Sequence, residues 1–564
     1  MKWQYYKNEN KKEEVTILQN KFKINELLAT ILANRGITGE NAEVFLDPKR
    51  NDFYDPYNIP DMPKAVDRIL QAINTHEKTI IYGDYDVDGI TSITVLKSFL
   101  KDRGLEVGTY IPNRLEEGYG LNNGAIKKIA SENYTLMITV DCGITSVEEI
   151  EIAKNLGIDT VITDHHEPAD KIPNALAVVD CKRKDNNYEF RELAGVGVVF
   201  KLTQAISMKL GLAQKEYLKY LDIVSIGTIS DIVPLVDENR VITKLGLKLV
   251  QCTRNIGLAA LLKETGYSKI DSTAIAFGVA PRINACGRMG CADRALELLL
   301  TTDRDKAIEL ARSIGVYNIQ RQTEEKRIFE EANAQIKKEK LENSEAIILG
   351  GENWHHGVIG IVASKITELY YKPSILVCFE EGKDIGKGSG RSIPGFDLHD
   401  ALMKCQESLL AFGGHSMAVG VTVAKGKFED FKNRFIEIAK EANVSKLSPV
   451  LYLDGNINID EINKQIVESL SLLEPYGEAN KMPIFAFKNL KVDSIRSLTD
   501  GKHLKLTLKS SNNTYINAIG FNLGYLAEDF KIGDKIDIAG NLEINRFNDI
   551  DSIQINMKDV IKSI

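Results

Sequence analysis

From residue 78 to residue 165 the chain alternates short apolar runs with amphipathic segments: "KTIIY" precedes "ITSITVLKSFLKDRG", "LMITV" precedes "SVEEIEIAKNLG", and "DTVIT" follows. Apolar runs of strand length separated by helical periods predict βαβ units, hence a parallel sheet covered on both faces. In such sheets ligands bind beyond the carboxyl ends of the strands. The unusual residues fall there: Asp84, Asp86 and Asp88 after the first strand, Asp141 after the next, and Asp164, His165 and His166 after the third. Two of the chain's eight histidines are thus adjacent at one strand end.

At 564 residues the chain exceeds what one hydrophobic core supports, so several domains are expected. Residues 1–50 read as an N-terminal helical or extended segment and 51–302 as the parallel-sheet domain. The charged, helix-periodic stretch 303–342 reads as a connecting helix. Strand-like runs at "EAIILG", "ILVCF" and "MAVGVTV" place a second α/β domain at 343–445. From 450 to 564 short strands dominate, and "HLKLTLKS" alternates Leu504, Leu506 and Leu508 inward with Lys505, Thr507 and Lys509 outward. The expected fold is therefore α/β: a parallel-sheet domain joined by a long helix to a second α/β domain, followed by a small β-barrel.

"MKWQYYKNENKKEEV" lacks the apolar core of a signal peptide and no run is long enough to span a bilayer, which points to the cytoplasm. Seven scattered cysteines without C-x-x-C predict free thiols. The net charge of −8 argues against a protein that coats nucleic acid, yet between 481 and 509 seven Lys/Arg face only Asp493 and Asp500, so a local basic groove is compatible.

Three carboxylates at alternate positions in "GDYDVDGI" repel one another unless a cation lies among them. The stretch begins like an EF-hand loop, but the twelfth position is Val95 rather than a bidentate Glu; a solvated turn is the other plain reading. Asp141, Asp164 and His165 would each pass singly as a cap. Together with Asp231 in "GTISDIVPL", carboxylates and neutral imidazole suit Mn²⁺ or Mg²⁺ rather than a thiolate-selected metal.

"GDYDVDG", "DCG", "TDHH" and "GTISDIVPL", in this order, resemble the DHH phosphoesterase family. "IPNRLEEGYGLN", "LAGVGVVFKL", "PRINACGR", "WHHGVIGIVASKI", "GSGRSIPGFDL" and "FGGHSMAVG" are similar to its single-strand-specific exonuclease branch, the RecJ proteins, over roughly residues 50 to 564. The resemblance implies that Asp86, Asp88, Asp141, His165 and Asp231 hold one or two Mn²⁺ or Mg²⁺ ions. Asp84 would bind directly or support a ligand. His166 would stand beside the reacting phosphate, and Asp164 and Asp86 would share in catalysis. It further implies hydrolysis of single-stranded DNA from the 5′ end to mononucleotides in repair and recombination, by a monomer assisted by a helicase and a single-strand-binding protein. A phosphoesterase for short oligonucleotides, bisphosphorylated nucleotides or pyrophosphate is the alternative, as is a scaffold without activity.

Arg114, Arg282 and Arg288 carry donors suited to bidentate phosphate contacts, and "GKGSGRSIPG" reads as a glycine-rich loop offering backbone amides with Ser389 and Arg391. By resemblance these, with His355 and His415, clasp substrate phosphate. The family pattern is Trp-His, a variable residue, then Gly, so His356 is left without a role. Cys286 stands where a small alanine is typical, and Ala479 and Lys481 depart from the usual barrel entrance. "GVGVVF" begins like a dinucleotide fingerprint but lacks its third glycine. The barrel resembles an oligonucleotide-binding fold. Lys505 is expected to touch the strand, with Phe485, Phe487 and Phe547 either stacking on bases or filling the barrel. A truncation near 445 is expected to leave the active site assembled.

Overall fold

The computed structural model describes residues 1–6, 11–114, 116–547 and 550–563. They group into two compact units: Tyr54–Asp231 with Gly246–Pro449, and Met1–Phe53 with Ile232–Leu245 and Val450–Ile564.

In the first unit the five strands Val107–Tyr110, Thr79–Gly83, Leu136–Val140, Asp159–Thr163 and Ala177–Val179 pair in that spatial order, all parallel. Thr79–Gly83 and Leu136–Val140 are buried along their whole length, which is why they read as continuous apolar runs without alternation. Helix Val87–Lys101 starts immediately after the first of them, and Gly89 is what lets it: a Cβ there would collide with the Asp84 carbonyl. The apolar "IVSIGT" lies within a buried helix, Leu221–Ser230, so Asp231 is that helix's C-terminal cap.

Helix Arg304–Glu339 runs for 36 residues, its start fixed by Asp303, whose side chain accepts from the backbone of Asp305 and Lys306. Beyond it, a five-stranded sheet orders Ala411–Gly414, Ala418–Ala424, Ile385–Arg391, Ser374–Phe379 and Ile347–Glu352, with only the last pair parallel. The expected glycine-rich loop is corrected here: Ile385–Arg391 is a central strand. Its glycines lie under large neighbours, since a Cβ on Gly386 would come 2.6 Å from Val377 and one on Gly388 2.7 Å from Val421. The intervening Lys387, Ser389 and Arg391 point from the other face.

In the second unit the strands Phe485–Leu498, His503–Lys509, Tyr515–Gly520, Ile550–Lys562 and Lys535–Phe547 close on themselves through pairing of the first with the last, making a barrel. Leu504, Leu506 and Leu508 are fully buried inside it, as their alternation requires. Phe485 and Phe487 are fully buried too, so they fill the barrel and are unavailable for stacking; the Phe547 side chain lies outside the described residues. The exposed aromatics are instead Tyr515, Phe521 and Tyr525.

The N-terminal segment is not a separate piece. Lys2–Tyr5 pairs in parallel with Val450–Leu453, and Leu18, Leu28 and Ile31 share one core with Phe485 and Leu504. Arg240 pins this arrangement. Its buried guanidinium donates to the carbonyls of Phe45 (2.7 Å), Leu473 (3.0 Å) and Glu474 (3.0 Å) and stacks 3.6 Å over the Phe45 ring.

A truncation near 445 therefore removes the strand that pairs with Lys2–Tyr5 and two of the carbonyls that hold Arg240, so it should expose the apolar faces of the first helices rather than delete a detachable module. Arg240→Met, which orphans the same carbonyls, should cost about 3 kcal/mol or more. Urea unfolding followed by Trp3 fluorescence in a Trp354→Phe background checks it, because these are the chain's two tryptophans and Trp3 belongs to this unit. An unchanged midpoint would show that the guanidinium contributes nothing.

Candidate active site

Each functional side chain in the first unit is placed by a backbone device. Asp86 caps helix Val87–Lys101, accepting from the amides of Asp88 (2.9 Å) and Gly89 (3.1 Å) with one oxygen and leaving the other available. Asp88 is held by the first amides of helix Gly195–Lys209, from Gly195 (2.6 Å) and Val196 (2.9 Å). The dinucleotide-like "GVGVVF" is thus a helix N-terminus aimed at a carboxylate of this chain. Gly195 is required because a Cβ would lie 2.7 Å from Asp141 Oδ1. Asp141 itself adopts φ +59°, a left-handed conformation uncommon outside glycine, with its amide tied to the Thr163 carbonyl (3.0 Å).

These devices concentrate ligand-type atoms. Asp84, Asp86 and Asp141 form one group, Asp88, His165 and Asp231 a second, and Asp141, His165 and His166 a third, each with its donor atoms within 4.8 Å of one another. His165 Nε2 lies 3.1 Å from Asp141 Oδ1, 3.6 Å from Asp231 Oδ2 and 3.8 Å from Asp88 Oδ2. Burial pushes the His165 pKa down to about 3, so the imidazole is neutral and offers a lone pair. Burial and repulsion from Asp86 push Asp88 up to about 7. Asp84, Asp141 and Asp231 are raised by burial and then by their acidic neighbours. His165 Nε2, Asp84 Oδ1 and Asp231 Oδ2 are buried without a hydrogen-bond partner. Orphaned acceptors within these neighbouring groups, with no lysine or arginine in any of them, fit one or two divalent cations held by oxygen and imidazole.

Asp164 has a different job. Its Oδ2 accepts from the Ile144 amide (2.9 Å), and its Oδ1 from the His165 amide (2.7 Å) and from His166 Nδ1 (2.7 Å). Burial is the largest single influence and opposes charge on both partners, but their hydrogen bond and the surrounding opposite charges together outweigh it, lowering the Asp164 pKa and raising that of His166. His166 also meets Tyr119, whose hydroxyl is 3.3 Å from Nε2.

A second cluster, of guanidinium groups, stands beside the first. Arg288 is pushed down to about 10 by burial and by Arg114, Arg321 and Arg391, with Asp86 acting the other way. Arg391 Nη1 donates to Ser389 Oγ (3.0 Å) and to the Gly390 carbonyl (2.7 Å). Gly360, on helix His356–Tyr370, makes room for them: a Cβ would sit 3.0 Å from Ser389 Oγ and 3.2 Å from Arg391 Nη2. His355 caps that helix, accepting from the Gly357 amide (3.1 Å), while Arg288 Nη1 donates to the Gly357 carbonyl (3.0 Å). Arg114 lies 5.1 Å over the Tyr85 ring. His415 is exposed on the turn after Ala411–Gly414, its amide bonded to the carbonyl of Ala418, the register partner of Arg391.

Arg282 is not brought in: its guanidinium is tied to the carbonyls of Gly278 (2.7 Å) and Glu264 (3.2 Å), a local helix lock. Lys505 belongs to the other unit, on the barrel, beside Arg496 in register. Four residues here escaped the sequence reading. Tyr119 and Asp180, the latter pushed to about 8 by burial and by Asp164, each had a signal, as a tyrosine in a glycine-rich turn and an acid directly after "LAVV". Arg321 was hidden in the charged periodicity of the long helix, and Gly195 in a motif of another meaning.

Three family models match the chain: the DHH family, N-terminal domain, over residues 78–228, the DHHA1 domain over 343–441 and the RecJ OB domain over 453–559. The single-stranded-DNA-specific exonuclease RecJ of Bacillus subtilis is 39% identical over 568 residues, covering 100% of this chain and 71% of the relative. The chain belongs to the RecJ family. The RecJ of Dickeya dadantii is 32% identical over 94% of this chain and 95% of its own. Among solved structures, RecJ of Thermus thermophilus in complex with Mn²⁺ matches with a TM-score of 0.86 at 28% identity, covering 100% of this chain and 79% of that one; its Mg²⁺ complex matches at 0.78. Mn²⁺ or Mg²⁺ is accordingly the metal cofactor, and the acidic groups described above fit such a cation. Among the described residues no helix is long and apolar enough to cross a membrane.

The raised carboxyl pKa values give a signed pH dependence. As pH rises through about 7 the metal-free fold loses the stability that protonated Asp88 provided, while the ligands become free to bind. The rise in melting temperature on saturation with Mn²⁺ should therefore be larger at about pH 8 than at about pH 5.5. Differential scanning fluorimetry with and without chelator measures it; a shift independent of pH would contradict the raised pKa values of the crowded carboxyl groups.

Proposed function

We propose that this site removes mononucleotides from the 5′ end of single-stranded DNA. That the chain is a metal-dependent exonuclease for single-stranded DNA follows from its family; the polarity and the residue roles are the further reading. The observation that carries it is the adjacency of the two clusters. Arg288 senses both Asp86 and the guanidinium groups of Arg114 and Arg391, so a terminal phosphate gripped by the arginines would present the next phosphodiester to the acids.

Asp86, Asp88, Asp141, His165 and Asp231, with Asp84 beside them, would hold the cation. When bound, Mn²⁺ or Mg²⁺ lowers the pKa of water to supply a nucleophile and offsets charge on the departing oxygen. Asp164 orients His166 and favours its protonated form, from which the ring would donate to a nonbridging oxygen of the reacting phosphate. Arg391, Ser389, Arg288 and Arg114 hold the terminal phosphate, and His355 and His415 border that grip. On the barrel, Lys505 beside Arg496 and Lys509 over the Tyr515 ring (5.1 Å) offer charge and a stacking face to the strand farther from the cut. We read the chain as a cytoplasmic monomer. Because its substrate is unpaired, strand separation by a helicase and protection of the product strand by a single-strand-binding protein are the partner activities it calls for.

Digestion of 5′- and 3′-labelled single strands, duplex DNA and RNA with Mn²⁺ tests the reading. The 5′ label should leave first as a mononucleotide while the 3′-labelled strand shortens progressively; the reverse order would overturn the polarity. Asp86→Ala, Asp141→Ala and His165→Ala should each abolish hydrolysis with the fold retained, as circular dichroism reports, and near-normal turnover in saturating Mn²⁺ would refute the ligand set. Arg391→Ala should weaken 5′-phosphorylated strands by about 1.5–3 kcal/mol, seen in KM, through loss of a charge-assisted hydrogen bond. An unchanged KM would remove Arg391 from the grip.

A further inference from the structure

Helix Ala280–Arg288 ends in a particular way. Gly290 follows the cap residue Met289 with φ +75°, the Cys291 amide bonds back to the Cys286 carbonyl (2.8 Å), and the Gly290 amide to the Gly287 carbonyl (3.4 Å). This six-to-one and five-to-two pair defines a Schellman motif, whose geometry brings the side chain three positions before the cap against the one two positions after it. An apolar pair usually occupies these places. Here they are Cys286 and Cys291, which the motif sets side by side and whose thiols interact with each other.

The two sulfurs are unequal. Cys286 is fully buried, and its thiol is raised by its hydrogen bond to Cys291 and by burial. Cys291 is half-buried at the N-terminal cap of helix Ala292–Leu300, and its thiol is lowered by the bond to Cys286, against burial, with help from Arg294 and Tyr317. A half-buried thiol with a lowered pKa at a helix N-terminus, beside a second thiol, is the arrangement of an attacking and a resolving cysteine.

We propose that Cys286 and Cys291 form a reversible disulfide that responds to peroxide and switches the nuclease off. The Cys291 thiolate attacks one peroxide oxygen, the O–O bond breaks, and the departing hydroxide takes a proton to become water. The Cys286 thiol then attacks the resulting sulfenic sulfur, forming the S–S bond and expelling a second water. Two thiols are oxidised by two electrons and one hydrogen peroxide is reduced to two waters. A small dithiol reverses the step by exchange.

The consequence reaches the active site because the last turn of this helix has no slack. The Asn284 side chain accepts from the Val87 amide (3.3 Å), between Asp86 and Asp88. Gly287 lies so close to the metal-binding loop that a Cβ would be 2.5 Å from the Tyr85 carbonyl, and Arg288 is bonded to Gly357 at the phosphate grip. Drawing two sulfurs from contact to a bond length of about 2.05 Å moves this turn against both clusters, and displacements of about 1 Å in such sites cost up to about a hundredfold.

The test uses the full-length enzyme, oxidised with hydrogen peroxide, quenched with catalase, then given Mn²⁺ and single-stranded DNA. Peptide mass spectrometry should find residues 286 and 291 cross-linked with the loss of two hydrogens, digestion should fall about tenfold or more, and dithiothreitol should restore both. Cys286→Ala should keep its rate through the same treatment. Three results would overturn the proposal: Cys286 still alkylatable after Cys291 has passed to sulfinic acid, equal inactivation of Cys286→Ala, or a cross-link with an unchanged rate. The rate arm rests on the exonuclease reading, whereas the cross-link does not, so an untreated enzyme that fails to digest DNA refutes that reading and leaves the disulfide to be judged by mass.

Discussion

The first unit is organised around a repulsion. Asp84, Asp88 and Asp141 are buried at the ends of strands and helices, with the half-buried Asp86 and Asp231 beside them, so much of their charge is cut off from water, and among the described residues no lysine or arginine is in direct contact with it. What tolerates them is the backbone: helix N-termini at Asp86 and Asp88 direct partial positive charge inward. The remaining imbalance is the driving force for taking a cation. The glycines at 89 and 195 are part of the same solution, since a Cβ would strike the Asp84 main chain at the first and the Asp141 carboxylate at the second.

This dependence explains what was legible in the sequence. Continuous apolar runs ending in acids identified the parallel sheet and its working edge, because burial on both faces and ligand chemistry each leave a residue pattern. The barrel's alternation at Leu504, Leu506 and Leu508 was legible for the same reason. Asp231 was found as an acid after an apolar run, while the helical form of that run was not legible, since a fully buried helix and a buried strand are alike in apolar content.

The failures also have physical causes. "GKGSGRS" looked like an anion-binding loop because glycine suggests turns; here alternate glycines admit large neighbours to one face of a strand and leave the other face to Ser389 and Arg391. Phe485 and Phe487 could not be assigned to groove or core without knowing which way the strand faces. Arg282 and Arg288 are six residues apart on one helix, yet one locks backbone carbonyls and the other joins the guanidinium cluster. No local feature separates them, because the difference lies in what the helix meets at each point. The union of residues 1–53 with the barrel rests on contacts spanning more than 400 positions, which periodicity does not encode.

That union has a consequence for how the chain is made. Lys2–Tyr5 leaves the ribosome long before its pairing partner Val450–Leu453, which emerges only after the whole intervening stretch has been synthesised. At roughly 5–20 residues per second the wait is on the order of tens of seconds. Throughout it, the apolar faces around Leu18, Leu28 and Ile31 have no core to join. The sheet carrying the acids can form in the meantime, so the nascent chain passes through a stage in which its beginning is exposed to chaperones and proteases while its catalytic half is already compact.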